Sequence, residues 1–326
     1  MTGGKRNKKM ISIAVLCGGP SSEREVSLAS GRNIAKALDK NKYAACVIEV
    51  PANHSQILKL FAAPKTFANI DLALIALHGA FGEDGVVQNL LDLRDVPYTG
   101  SPAVASALGI DKVITMTVAR VSGLRVPEFF TVQKHSNILE NVGMLVRNKF
   151  GYPCVVKPNA SGSSVGVAIV RRGRDLRKAL RNAFAEGDTA IVQRYIKGRE
   201  LTCGILGNAG EDLLALPPIE IVAGNEFFDY NAKYASKKTQ ELCPAPVRPS
   251  VRENVKRASR RIHETLGCDG LTRSDFILAP GGKLYFLEIN TIPGMTPASL
   301  CPKEAAALGW SFGEFLDKII ALALKK

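Results

Sequence analysis

The stretch LTRSDFILAPGGKLYFLEINTIPGM, residues 271–295, restricts this chain more than any other. Two strand-length runs flank Gly281-Gly282, a pair suited to a two-residue hairpin turn. With those glycines as the loop, Pro280 faces Lys283, Asp275 stands opposite Glu288, and Arg273 stands opposite Asn290. Opposed residues share a face of a sheet, as do residues two apart on one strand. Arg273, Asp275, Glu288 and Asn290 are therefore expected on one side, accompanied by Leu271, Ile277, Leu284 and Phe286. Two carboxylates opposed on an otherwise apolar face repel, and burying them unpaired is costly. A hard cation removes both problems, because Mg²⁺ takes oxygen ligands and commonly joins one or two carboxylates to nucleotide phosphates. A plain ion pair between Arg273 and a carboxylate accounts for the same local pattern equally well.

A second stretch, VVKPNASGSSVGVAIV at residues 155–170, bears on that choice. Lys157 ends an apolar run and a Gly/Ser segment follows it. Gly and Ser give a pliant backbone, and a lysine point charge suits an anion. The order is not G-x-x-x-x-G-K-[ST], since the lysine precedes the glycines, and no G-x-G-x-x-G follows the first strand. A lysine-bearing strand, a pliant flap and an acidic hairpin together describe a nucleotide gripped between two small sheets.

The first third alternates strand and helix. Residues 11–17, 44–50 and 71–77 are apolar runs of strand length. Helical periodicity at Val26, Ala29, Ile34 and Leu38 follows the first, and Ser22 and Glu25 have capping-box spacing at its start. This alternation predicts a parallel sheet covered by helices, with ligands at the carboxyl ends of its strands. Residues 108–121 read as helix, 123–127 as a linker, 190–196 as a strand, and 311–322 as an amphipathic helix. Residues 228–246 show no periodicity, and a loop of that length in a compact domain is usually functional or disordered. The expected fold class is α/β, turning α+β in the nucleotide-binding part. The expected units are residues 1–112 (with 1–9 a disordered basic tail), 113–196, and 197–326 with a mobile loop at 228–246.

Several function classes receive no support. No apolar run approaches the roughly 20 residues of a membrane span. The basic leader and residues 10–17 mimic a signal peptide, but no small-residue cleavage site follows. Seven cysteines, an odd number without a CxxC, read as free thiols in a reducing, cytoplasmic compartment. The net charge of +13 gathers partly at residues 171–181 and 256–261, which read as solvated helix faces without a nucleic-acid motif beside them.

Eight stretches, in order, resemble the D-alanine–D-alanine ligases of the ATP-grasp superfamily. They are GGPSSEREVSLASG (18–31), ALHGAFGEDGVVQ (76–88), PYTGS (97–101), DK (111–112), KPNASGSSVGV (157–167), FDYNAKY (228–234), RSDF (273–276) and LEINTIPGMTPASL (287–300). The resemblance implies an ATP-grasp fold and an ATP-dependent ligase in peptidoglycan precursor synthesis. ATP phosphorylates one D-alanine, the amine of a second attacks the acyl phosphate, and phosphate leaves. It further implies two Mg²⁺ or Mn²⁺ ions held by Asp275, Glu288 and Asn290, with Lys112 and Lys157 on the phosphates. Glu200 matches the ribose-binding acid, and Gln193, Arg194 and Ile196 fall on the adenine-binding strand. Arg273 and the Gly294 N–H match the oxyanion donors. Glu23 matches the acid that holds the first ammonium, with Ser163 and Tyr234 linked to it. Lys233, Ser299 and Leu300 match the groups receiving the second D-alanine, and His78 lines the same site. The family suggests a homodimer with no nucleic-acid or membrane partner.

Each residue also has an ordinary reading: Glu23 as a helix-dipole acid, Lys112 as a surface lysine, His78 as a satisfied core histidine, Tyr234 as a loop anchor. Three departures from the family stand out. Gln193 replaces a usual Glu, Asn231 replaces another, and Thr272 and Ser274 flank Arg273. The competing readings are a ligase making D-Ala–D-lactate, D-Ala–D-serine or another dipeptide, a non-catalytic nucleotide-binding protein, and a nucleic-acid binder resting on charge alone.

Overall fold

The computed structural model describes residues 10–136, 139, 141–162, 165–222 and 239–325. Three sheets organise them. In the first, β1 (Ile11–Gly18) runs parallel to β2 (Tyr43–Val50) on one side and β3 (Leu72–Ile75) on the other. Both faces are covered, as continuous apolar strands demand. Ala14 and Leu16 pack with Ile57 and Phe61 of helix His54–Ala62. Ile13, Val15 and Cys17 pack on the other face with Phe315, Leu316, Ile319 and Ile320 of the closing helix, Phe312–Ala323. That helix starts on a capping box: Glu314 N–H donates to Ser311 Oγ, and Ser311 N–H donates to Glu314 Oε2.

The helix after β1 starts at Arg24, with Glu23 at its N-cap and no side-chain cap. The expected Ser22–Glu25 capping box is therefore absent. Ser21 replaces it, accepting the Glu23 N–H at 3.2 Å and donating to the His78 carbonyl at 2.6 Å. This ties the helix start to the end of the β3 region.

The second sheet is antiparallel, in the order β4 (Phe129–Gln133), β7 (Thr189–Arg194), β5 (Cys154–Pro158), β6 (Ala168–Val170). Its back face, with Cys154, Val156, Ala190 and Val192, packs on Leu176, Ala179, Leu180 and Ala183 of helix Leu176–Ala183. Val155 pairs with Gln193 and Lys157 with Ile191, so those four residues share the opposite face.

The third sheet runs β11 (Gln240–Leu242), β10 (Ile219–Val222), β8 (Arg199–Leu206), β12 (Leu271–Leu278), β13 (Leu284–Asn290), with β9 (Leu214–Ala215) beside β8. Strand β11 corrects the expectation of an irregular segment through residue 246; three residues are too few for a readable period. Leu201, Cys203, Phe276 and Phe286 bury one face against Val255, Ala258 and Ile262 of helix Pro249–Thr265. The other face carries Glu200, Thr202, Arg273 and Asp275 along one part, while Leu206 and Leu271 at its end pack into the core of the first sheet.

The hairpin register needs one correction. Arg273 pairs with Asn290 and Asp275 with Glu288, but Phe276 pairs with Phe286. Leu287 is thus an extra residue on β13, a bulge. The turn is also longer by one: Ala279 N–H donates to the Lys283 carbonyl, and Pro280, Gly281 and Gly282 make the loop, both glycines at positive φ. The longer turn shifts the register by one residue and the bulge shifts it back. Beyond the bulge the faces invert, so Leu284 and Phe286 lie in the core with Phe276 and not beside Asp275.

Candidate active site

The open face of the third sheet floors a cleft. Glu200, Arg273, Asp275, Glu288 and Asn290 line it from the sheet, Glu23 and His78 from the first unit, and Lys112 from the start of helix Lys112–Val121. Gly294, Ser299 and Leu300 line it from the chain that leaves β13.

Cations answer the opposed carboxylates. Arg273 donates from Nε and one terminal nitrogen to the two oxygens of Asp275, each at 2.9 Å, and Thr202 Oγ1 donates to Asp275 Oδ1 at 2.6 Å. Burial opposes the guanidinium charge, but Asp275 outweighs it and raises the Arg273 pKa. The ion pair weighed from sequence is therefore present, and the acids line the cleft all the same. Lys112 Nζ donates to the Ser161 carbonyl at 2.7 Å and stands 3.5 Å from Glu288 Oε2. Lys157 is 6% exposed. Burial lowers its ammonium pKa to about 8, Glu288 working against that shift and Lys112 adding to it. Lys157, Lys112 and Glu288 thus sense one another across the cleft, and neither lysine is an ordinary surface group.

Asn159 fixes the flap at its base. Its side-chain oxygen accepts the Val113 N–H, its amide donates to Asp111, and its carbonyl accepts the Lys112 N–H. Further along, Gly162 closes on Glu23: a Cβ there would lie 2.5 Å from Glu23 Oε2. Ser163 and Ser164 lie outside the described residues.

His78 is the satisfied core histidine of the ordinary reading and also a wall of the cleft. Its Nδ1 is 3.2 Å from the Ile292 carbonyl, which only accepts, so Nδ1 carries a proton; Nε2 meets Ser30 Oγ at 3.1 Å. Glu83, which sequence reasoning passed over inside HGAFGEDG, stands 3.8 Å from His78 and accepts the Gly79 N–H.

Gln193 shares the face of Lys157, is 5% exposed, and its Oε1 has no hydrogen-bond partner. Arg194 is exposed and pairs with Glu128 at 2.9 Å, while Ile196 is half-buried just past the strand. Ser299 Oγ accepts the Thr296 N–H, and a Cβ on Gly294 would meet that hydroxyl at 2.8 Å. Leu300 packs with Ile219, Ile221 and Cys243. Of the two residues beside Arg273, Thr272 meets His263 at 2.7 Å, and Ser274 Oγ is buried without a partner. Asn231, Lys233 and Tyr234 lie outside the described residues.

Thr202, Glu241 and Glu304 also belong to this neighbourhood and were not singled out from sequence. Glu241, at the lip of the cleft, pairs with Lys303. Among the described residues, no three His, Cys, Asp or Glu side chains gather as a metal site. Asp275, Glu288 and Asn290 supply oxygen only, a donor set that fits a hard divalent cation whose remaining ligands come from phosphate and water. The seven cysteines are free, and no helix among the described residues is long and apolar enough to cross a membrane.

The family profile for the D-ala D-ala ligase C-terminus matches residues 118–321, and that for the N-terminus matches residues 12–59 and 49–101. The chain belongs to the D-alanine–D-alanine ligase family. A D-alanine–D-alanine ligase of Geobacter sulfurreducens is 41% identical over 316 residues, covering 97% of this chain and 95% of the relative. The crystal structure of the Bacillus anthracis D-alanine–D-alanine ligase is 37% identical, with a TM-score of 0.82, covering 97% and 98% of the two chains. A D-Ala:D-Ser ligase from Enterococcus faecalis is 29% identical, with a TM-score of 0.83 and coverage of 97% and 100%. A further structure of the Bacillus anthracis enzyme, 34% identical with a TM-score of 0.80, is complexed with ATP and covers 97% and 98%. The fold is the ATP-grasp fold expected from the motifs, and the family is one of ATP-dependent ligases.

Proposed function

We propose that this chain condenses two D-alanines at the expense of ATP, through a D-alanyl phosphate, to give D-Ala–D-Ala, ADP and phosphate for peptidoglycan precursors in the cytoplasm. The observation that carries the reading is the convergence of Lys112, Arg273 and the opposed pair Asp275–Glu288 on one cleft, which Glu23 also enters, with buried Lys157 in electrostatic reach of Glu288 and Lys112.

Lys112 and Lys157 carry the positive charge a triphosphate needs, and Gln193 offers a buried, unpaired acceptor to adenine's amino group. Arg194, Ile196 and Glu200 complete the nucleotide's surroundings, with Glu200 toward the ribose. Asp275, Glu288 and Asn290 would hold two Mg²⁺ or Mn²⁺ ions, whose chemistry is to neutralise the charge gathering on the phosphates. Glu23 holds the ammonium of the first D-alanine and leaves its carboxylate free to attack. Arg273 and the Gly294 N–H donate to the oxyanion formed when the second amine attacks the acyl phosphate. Ser299 and Leu300 receive the second D-alanine, with His78 behind them. Ser163, Lys233 and Tyr234 complete the site by their positions in the family motifs. Acyl phosphates hydrolyse readily, so the flap after β5 excludes water. The assembly is a homodimer in this reading.

The structural likeness to a D-Ala:D-Ser ligase keeps a second acceptor in view. The test is phosphate release with ATP and D-alanine alone, then with D-serine, D-lactate or L-amino acids added, with the product identified by mass. The reading predicts D-Ala–D-Ala from D-alanine alone. Turnover that requires D-serine or D-lactate replaces it with the corresponding ligase, and no ATP turnover with any of these substrates overturns it.

A further inference from the structure

Glu304 lies behind the cleft, 0% exposed, on helix Leu300–Ala306. Its place follows from a gap in the third sheet. The β8–β10 ladder ends at Thr202 and Ile219, and the β8–β9 ladder begins at Ile205 and Ala215. Between them run Leu216, Pro217 and Pro218, and proline donates nothing to a ladder. Gly204 accepts the Leu216 N–H on its carbonyl. Its own N–H goes to Glu304, 3.0 Å from Oε1 and 3.1 Å from Oε2. A Cβ on Gly204 would lie 2.5 Å from Oε2, so the bare glycine is what admits the carboxyl.

Gly204 is also the direct cross-strand partner of Arg273. The helix that carries Glu304 has Ser299 as its N-cap and Leu300 as its first residue, both lining the cleft. One short helix therefore begins at the acceptor end of the site and, in its second turn, is fastened to the backbone beside Arg273. An apolar side chain would fill this position without burying an acid. Burial pushes the Glu304 carboxyl up to about 8, against the Gly204 N–H and the Arg273 charge, which lower it. The acid is thus largely uncharged near neutrality and leaves the guanidinium to Asp275.

We infer that Glu304 is a positioning residue: by gripping the Gly204 N–H it sets the distance between the acceptor contacts at Ser299–Leu300 and the Arg273 donors. The inference rests on the ligase reading above. It makes Glu304 matter to the second substrate and not to the nucleotide.

The experiment measures KM for ATP, KM for the acceptor D-alanine, kcat and thermal midpoint for the wild type, Glu304→Gln and Glu304→Met. Methionine fills the space and removes the acceptor; glutamine keeps an oxygen for Gly204. The expected result is a rise of about tenfold in acceptor KM, or an equal fall in kcat, for Glu304→Met. Its ATP KM stays within about twofold, and Glu304→Gln returns close to wild type. If the methionine variant does not fold, Glu304→Asp, one methylene too short to reach Gly204, reads the same quantities. Equal damage to ATP and acceptor KM, unchanged kinetics in the methionine or aspartate variant, or a glutamine variant as impaired as the others, each overturns the inference. A wild type that makes no dipeptide at all fails the ligase reading itself, and the inference falls with it.

Discussion

Lys112 and Glu288 face each other with Nζ 3.5 Å from Oε2, while the same ammonium donates to the Ser161 carbonyl at 2.7 Å. One cation at the first turn of a helix thus links the flap after β5 to the acidic edge of the third sheet. Helix packing covers the back of each small sheet, and Lys157 and Asp275 stand on the faces opposite those helices.

The charges in that cleft are expected to be essential. Glu288→Gln removes one of the two opposed carboxylates, and Lys157→Ala removes a buried cation. Each is expected to lower ATP-dependent phosphate release with D-alanine by at least about a hundredfold, the scale set by losing one preorganised electrostatic contact. A coupled phosphate assay reads this directly, and near-normal turnover by either variant breaks the assignment.

Lys157 also makes ATP binding a proton-linked event. Its ammonium pKa is pushed down to about 8 by burial, so near pH 8 a good part of the free protein carries a neutral lysine. A polyanion beside it restores the charge, and binding takes up a proton. At pH 8 calorimetry in buffers of differing ionisation enthalpy is expected to show uptake of about half a proton per ATP. Lys157→Arg, whose charge does not titrate there, is expected to show almost none.

Gly162 sets how closely the flap meets Glu23. A methyl group there would sit 2.5 Å from the carboxylate. Gly162→Ala is expected to slow turnover about tenfold or more while the thermal midpoint moves little, since the change touches a surface flap and not a core. Wild-type turnover in this variant would remove the contact from the account.

Glu304 ties stability to pH. Burial pushes its carboxyl up to about 8 in the folded chain, from an ordinary value of 4.5. Between those values the native state keeps a proton that the unfolded chain has lost. The stabilising contribution is therefore full below pH 4.5 and fades as pH rises to 8, at up to about 1.4 kcal/mol per pH unit. Urea midpoints for the wild type and Glu304→Gln are expected to diverge in favour of the glutamine variant across that window. Parallel curves would show that the acid titrates normally.

What the residues reveal in advance depends on whether the relevant contact is local. The opposed acids of the hairpin were legible from strand alternation. Even so, the pairing of Asp275 with Glu288 came from two offsets that cancel, a turn one residue longer and a bulge at Leu287. A bulge leaves no periodic trace, so Leu284 and Phe286 were assigned to the wrong face. The Ser22–Glu25 spacing suggested a capping box, but Ser21 does that work through a bond to His78 that joins residues 57 apart. Thr202, Glu83 and Glu304 act through partners on other elements. Glu304 in particular belongs to no pattern read from the sequence, and only the missing ladder partner at Gly204 shows its use.

The central claim is that Asp275, Glu288 and Asn290 clasp the metal that accompanies the nucleotide. Crystals grown with Mn²⁺ and ADP test it most directly, because manganese marks its own position by anomalous scattering. The account predicts manganese at about 2.1 Å from oxygens of Asp275, Glu288 and Asn290, with Lys112 and Lys157 turned to the phosphates. Manganese and nucleotide bound elsewhere, with Asp275 still held by Arg273 and Glu288 coordinating nothing, would contradict it.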